Sequence, residues 1–280
     1  MRSNRKSQCL FGVILLMMAA TVALRAQTPA PTPTLEREFF KNILSDQKAI
    51  WTAPFHLERR DTKWMVPAGI GLMALITTDR ITGDEIFEAN RQVKASKGIS
   101  YAGSVYGLGA VAGTFYLIGR KNNDYRARET GLLSAEALVN SVIAGAALKG
   151  ITQRARPMDG RERSEFFDGG ASFPSGHSTQ AWAVATVIAH EYKDRPAVQI
   201  AAYGIASAVS VARFTGHKHY ISDVLAGSAL GFGIGKFVYH AHHRETLNED
   251  DYSQIKKWPV ITPQFNRQAR QYGVALTWNF

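Results

Sequence analysis

Residues 221–240, Ile-Ser-Asp-Val-Leu-Ala-Gly-Ser-Ala-Leu-Gly-Phe-Gly-Ile-Gly-Lys-Phe-Val-Tyr-His, decide the fold class. The stretch has helical length, is mostly apolar, and carries Gly227, Gly231, Gly233 and Gly235. Small residues three and four apart let helices approach closely. Segments of the same kind precede it at 64–78, 98–119, 131–149, and 177–193 with 197–212. None alternates with the period of two that a half-buried strand requires. The body therefore reads as an all-α helical bundle. The tail differs: Val260-Ile-Thr-Pro and the run from Tyr272 to Phe280 read as two short strands around a polar turn, a small β-hairpin appended to the bundle.

The polar residues that punctuate these helices carry the chemistry. Lys149 ends one apolar segment, and Arg156-Pro157 follows in the next loop. Proline holds the preceding arginine out of helical geometry. Arg213 closes another segment. Guanidinium forks with one ammonium suit a tetrahedral oxyanion, whereas each cation taken singly reads as a solvated surface charge. Pro174-Ser175-Gly176-His177 stands at the start of a helix, where Ser175 and Gly176 offer backbone N–H groups to an anion. His177 is placed as a general acid for a leaving alkoxide. Alone, this tetrapeptide is also a turn with an N-cap. In Arg213-Phe-Thr-Gly-His-Lys-His219-Tyr-Ile-Ser-Asp223, the last histidine and the aspartate are four apart, so they meet on one helix face. A carboxylate holding one imidazole nitrogen leaves the other free to attack phosphorus. In isolation the same spacing describes a plain surface pair.

Taken together, Lys-x6-Arg-Pro, Pro-Ser-Gly-His and Arg-x5-His-x3-Asp resemble the tripartite signature of the type 2 phosphatidic acid phosphatase (PAP2) and vanadium haloperoxidase superfamily. The intervening 16 and 35 residues suit that family, and the resemblance covers roughly residues 98–240. It implies that His219 attacks phosphorus to form a phosphohistidine, His177 protonates the leaving group and Asp223 orients the nucleophile. Lys149, Arg156, Ser175, Gly176 and Arg213 would hold the phosphate, with no metal and no cofactor. One position departs: the family's serine before the third-motif arginine is Ala212 here, and Ser210 lies on another helix face. His217 falls at a position that the pattern leaves free. His56, His190, His240, His242 and His243 show no partner at the spacing of a closed metal site. Asp159, Glu162, Glu165 and Asp168, mixed with Arg154, Arg161 and Arg163, read as a solvated gate beside the site.

The chain has 280 residues and a formal net charge of +10, which favours anionic partners: a phosphorylated lipid, a small phosphomonoester or an anionic membrane surface. The charge is spread along the chain without a basic helix, which argues against nucleic acid. Arg2, Arg5 and Lys6 before the uncharged run Leu10 to Leu24 read as a signal peptide over 1–26, or as an uncleaved anchor. The single cysteine, Cys9, lies within it. A Pro/Thr linker at 27–34, expected to be extended, leads to an amphipathic helical region over 35–97. Its aromatics, Phe39, Phe40, Trp51, Phe55 and Trp64, are expected to pack on the body or rest at a membrane interface. The phosphatase core then spans 98–245 and the hairpin tail 246–280.

Two settings remain: an enzyme of the cell envelope seated at the membrane with its site facing the periplasm, or a soluble periplasmic acid phosphatase. Gly98 to Gly119 is an uncharged run long enough to cross a bilayer. Glu136, Asn140, Asp223 and Lys236 are costly in lipid unless turned inward. Arg120, Lys121, Arg126 and Arg128 read as a cytoplasmic loop, which puts the three motifs outside. A vanadate-dependent haloperoxidase and a scaffold that only binds phospholipid are the other classes such a site admits.

Overall fold

The computed structural model describes residues 33–56, 59–85, 96, 98–157, 164–243, 260–266 and 271–277. The expected signal peptide at 1–26 lies outside them. Among the described residues, seven long helices run through Pro33–Thr52 (α1), Arg59–Glu85 (α2), Val105–Asn122 (α3), Tyr125–Thr152 (α4), Gly176–Glu191 (α5), Pro196–Thr215 (α6) and Ile221–His242 (α7). A 3-10 turn, Ala53–Phe55, follows α1. Pro33 and Thr34 were expected in an extended linker but open α1 instead. Proline suits a helix's first turn, where its missing N–H would have no partner anyway.

The run 98–119 is not one helix. It breaks at Gly103 and Ser104, and the Ser104 hydroxyl caps α3 by accepting from Gly107 N–H at 3.2 Å. A side chain at Gly103 would lie 2.3 Å from Val209 on α6, so the break seats the chain against that helix. The link to α4 is also shorter than a loop over 120–130: Asn123 takes φ 55° and Asp124 caps α4 through Ala127 N–H. Arg126 and Arg128 consequently lie inside α4. Arg126 is buried and bonded to the Glu191 carbonyl and to Asp194, while Arg128 pairs with Glu36 at 2.6 Å. Half of the supposed loop charge is thus spent on packing.

Helix α5 is central. Ala183 and Val187 join Leu133, Ala137, Ile234 and Val238 in one core cluster, and Ala181 and Val184 join Leu108, Leu138, Ala206 and Val209 in another. Side chains this small bring backbones together. A Cβ at Gly227 would meet Ser175 O at 2.6 Å, at Gly231 Thr179 O at 2.1 Å, and at Gly235 Ala183 O at 2.4 Å. Three glycines four apart therefore press α7 onto α5, setting the distance between the helix starts that carry the second and third motifs.

Helices α4, α6 and α7 are long and apolar enough to cross a membrane. Glu136, Asn140 and Asp223 turn inward and are buried, whereas Lys236 is exposed. Large apolar side chains stand outward on α2 (Trp64, Val66, Ile70, Met73) and α6 (Ile200, Val211). Phe40, Phe55 and Trp64 are 77, 83 and 81% exposed, so they do not pack on the body.

A second compact unit holds the remaining described residues. In it Val260–Asn266 (β1) and Gln271–Thr277 (β2) pair antiparallel, with Val260 opposite Thr277 and Asn266 opposite Gln271.

Candidate active site

Lys149 sits one turn before the end of α4. Gln153, at φ 45°, stops the helix by donating its N–H to the Lys149 carbonyl. The chain beyond it is strapped down. Five backbone hydrogen bonds tie 165–172 to 152–155: Ala155 to Glu165, Phe167 to Thr152, Asp168 and Gly170 to Gln153, and Ser172 to Arg154. The described part of this loop is therefore an ordered cradle rather than a solvated gate; Asp159, Arg161, Glu162 and Arg163 lie outside the described residues. Lys149 Nζ donates to Ala171 O at 2.9 Å, and a Cβ on Gly176 would stand 3.8 Å from that nitrogen. The first and second motifs thus meet.

Arg154 is the residue whose place the sequence did not disclose. It is fully buried, with Nη1 bonded to Asp223 Oδ1 and Ser222 Oγ at 2.7 Å each. Its Nη2 reaches Asp79 Oδ2 at 2.8 Å and Ser164 Oγ at 2.6 Å, and the guanidinium lies against the Phe166 and Tyr220 rings. Asp79, from α2, also takes the Ser222 hydroxyl and N–H. Arg154 and Asp79 therefore form a buried frame behind the third motif. Only the Arg-x-Arg repeat at 154–156 hinted at it, without saying which arginine turns inward.

His219 and Asp223 are both buried and come together, but not on one helix face. His219 precedes α7, whose N-cap is Tyr220, and Asp223 accepts the Tyr220 N–H at 3.0 Å from the third helical position. His219 Nδ1 stands 3.7 Å from Asp223 Oδ2, beyond a direct hydrogen bond. Ser172 Oγ fills the corner, 3.5 Å from Nδ1 and hydrogen-bonded to Oδ2. Burial pushes the His219 imidazole down to about 4; Asp223 opposes this, while Lys149 and Arg213 add to it. The ring is neutral at ordinary pH, with Nδ1 on the Ser172–Asp223 side.

Around it stand the remaining expected residues. The charges of Arg213, His219, Lys149 and Arg156 all bear on His177, which brings the five into one neighbourhood. Ser175 is buried, and its backbone N–H is given to the Asp223 carbonyl at 2.9 Å, so that N–H does not face an anion as expected. Its hydroxyl accepts from Ser178 and makes no cap bond to the helix, which leaves the first N–H groups of α5, that of Gly176 among them, as donors. Ala212 is buried in the bundle, and Ser210 bonds Trp182 and Ser228, away from Arg213. Two histidines expected to lack metal-type partners do have them: His242 meets Asp46 and Glu136, and His243 meets Glu129 and Glu191.

Known proteins are similar to this chain in sequence and in fold. A lipid A 1-phosphatase of Porphyromonas gingivalis is 36% identical over 105 residues, 36% of this chain and 23% of that protein. A PA-phosphatase related-family protein of Dictyostelium discoideum is 27% identical over 154 residues, 49% of this chain and 56% of its own length. The chain thus spans between about a quarter and just over half of these relatives. A transmembrane PAP2 type phosphatidylglycerolphosphate phosphatase from Bacillus subtilis superposes with a TM-score of 0.45 at 21% identity, over 75% of this chain and 98% of that one. The family model of the PAP2 superfamily matches residues 130–247. That matched segment carries every expected site residue.

Proposed function

We propose that the protein is a metal-independent phosphatase acting on a phosphate monoester or pyrophosphate of a lipid, through a phosphohistidine. The observation that carries this reading is a buried His219 with Nδ1 backed by Ser172 and Asp223 and a cluster of cations around it. Lys149, Arg156 and Arg213, with the Gly176 N–H, hold the phosphoryl oxygens. Nε2 of His219 forms a bond to phosphorus as the ester P–O bond breaks. Burial and the surrounding cations push His177 down to about 4 in the empty site, so it takes up a proton as the phosphate's negative charge enters and gives that proton to the departing oxygen. Water then attacks the phosphohistidine and loses a proton to His177, releasing inorganic phosphate and restoring His219. Charge that a metal would supply comes from the three fixed cations.

A lipid substrate is favoured by three helices able to cross a bilayer, the outward apolar residues of α2 and α6, and the lipid A 1-phosphatase similarity. Export, with the site facing the periplasm, rests on the signal-like N-terminus. The test is phosphate release by the purified protein from a matched pair, an isoprenoid or glycerolipid phosphate in detergent and a soluble phosphomonoester. Faster lipid turnover that vanishes in His219→Ala supports the proposal. Preference for the soluble ester recasts the site as a periplasmic acid phosphatase, and release from neither rejects the hydrolytic reading. His177→Ala should spare esters with good leaving groups and lose alkyl phosphates, a split that equal loss on both would refute.

A further inference from the structure

We propose that Asp46, Glu136 and His242 form a binding site for one divalent first-row transition ion, zinc by donor chemistry, at the end of the bundle away from the phosphatase site. The three come from α1, the middle of α4 and the end of α7. His242 Nε2 lies 2.7 Å from Asp46 Oδ1 and 3.7 Å from Glu136 Oε1, and the three donor atoms fall within 4.8 Å of one another. Donors about 2.0–2.2 Å from a tetrahedral zinc stand roughly 3.3–3.5 Å apart, so the set closes on an ion with sub-ångström shifts once the imidazole gives up its shared proton.

Charge and burial point the same way. Asp46 and Glu136 are each 1% exposed, and among the described residues their ion pairs run to His242 alone. Two buried carboxylates facing one imidazole are short of positive charge, which a dication supplies. Glu136 Oε1 gives independent support: it is buried, has no hydrogen-bond partner, and is the atom turned toward His242. Asp46 is held in its binding orientation from behind, because Asn140 donates to Oδ2 at 2.7 Å and Gln47 in turn donates to Asn140 at 2.8 Å. Such outer partners aim ligands at a metal. One imidazole with two carboxylates suits zinc and its neighbours better than magnesium or calcium, which demand six or more oxygens. The neighbouring set of His243, Glu129 and Glu191 differs in lying beside a cation, because the Arg126 charge bears on the Glu191 carboxylate.

Nineteen residues of helix separate His242 from Asp223, about 28 Å at the usual rise, so this ion takes no part in phosphoryl transfer. Its effect is to pin α1 to α4 and α7.

The experiment is a Co2+ titration of the full chain in detergent after stripping with chelator, read by visible absorption, with Zn2+ competition and thermal melting alongside. One equivalent of Co2+ with intense bands, displaced by Zn2+, and a melting point raised by Zn2+ are expected. Glu136→Gln and His242→Gln should bind about 10- to 100-fold more weakly, while His243→Gln keeps the bands. Absence of stoichiometric Co2+ and of any Zn2+ effect on melting in the wild type overturns the proposal whether or not the variants fold. Unweakened binding in well-folded Glu136→Gln and His242→Gln overturns it equally.

Discussion

Removing Arg154 would strand Asp79 and Asp223 in the interior without their shared cation. Breaking such a buried pair costs about 3–5 kcal/mol, so Arg154→Met should melt far below wild type, whereas Arg156→Met should melt near it and lose turnover instead. Melting curves beside phosphate release separate the two, and equal melting points would refute the frame. The sequence could not assign these roles, because Arg154 finds Asp79 75 positions earlier. What it did disclose was the nearness of His219 to Asp223, because motif spacing is local. It missed Ser172 for the same long-range reason. His219 also fixes a pH dependence. Its folded pKa of about 4 lies below the ordinary histidine value, burial being the main cause. The protonated ring has no lone pair, so kcat/KM should stay level with respect to this group above about pH 4 and fall about tenfold per unit below it. An acid limb centred at the ordinary histidine value would contradict the buried geometry.

At the scale of helices, the glycines of α7 divide into two kinds. Gly231 would drive a methyl group to 2.1 Å from Thr179 O, while Gly233 has nothing within 4 Å. Gly231→Ala should therefore destabilise by about 1–3 kcal/mol through overpacking. Gly233→Ala should stabilise by up to about 1 kcal/mol through helix propensity. Denaturation midpoints of the two variants check this, and a shared sign would refute the contact seam. The stripe itself was legible, since 227, 231 and 235 recur every four residues and 233 does not. The start of α3 was not: an uncharged run hides a helix break, and only contact with Val209 shows why the chain turns at Gly103. Arg126 and Arg128 looked like loop charges because their partners, Asp194 and Glu36, are remote in sequence.

For the molecule as a whole, the inward polar and outward apolar residues fit the bilayer setting proposed above. Lys236 lies about six residues from the end of α7, within the reach of a snorkelling side chain. Alkaline carbonate washing of membranes should leave the protein in the pellet, and its recovery in the supernatant would contradict the proposed bilayer setting. The bond from Ser175 N–H to the Asp223 carbonyl has one last consequence. It is made by main chain on both sides, and Gly227 leaves room for it, since a Cβ there would meet Ser175 O at 2.6 Å. The interval between the proposed acid and the proposed nucleophile is thus gauged by peptide units, a caliper that side-chain exchange elsewhere than at Gly227 does not reset. Mutational drift at the rim can retune which alcohol leaves, while the jaws that grip phosphorus keep their opening.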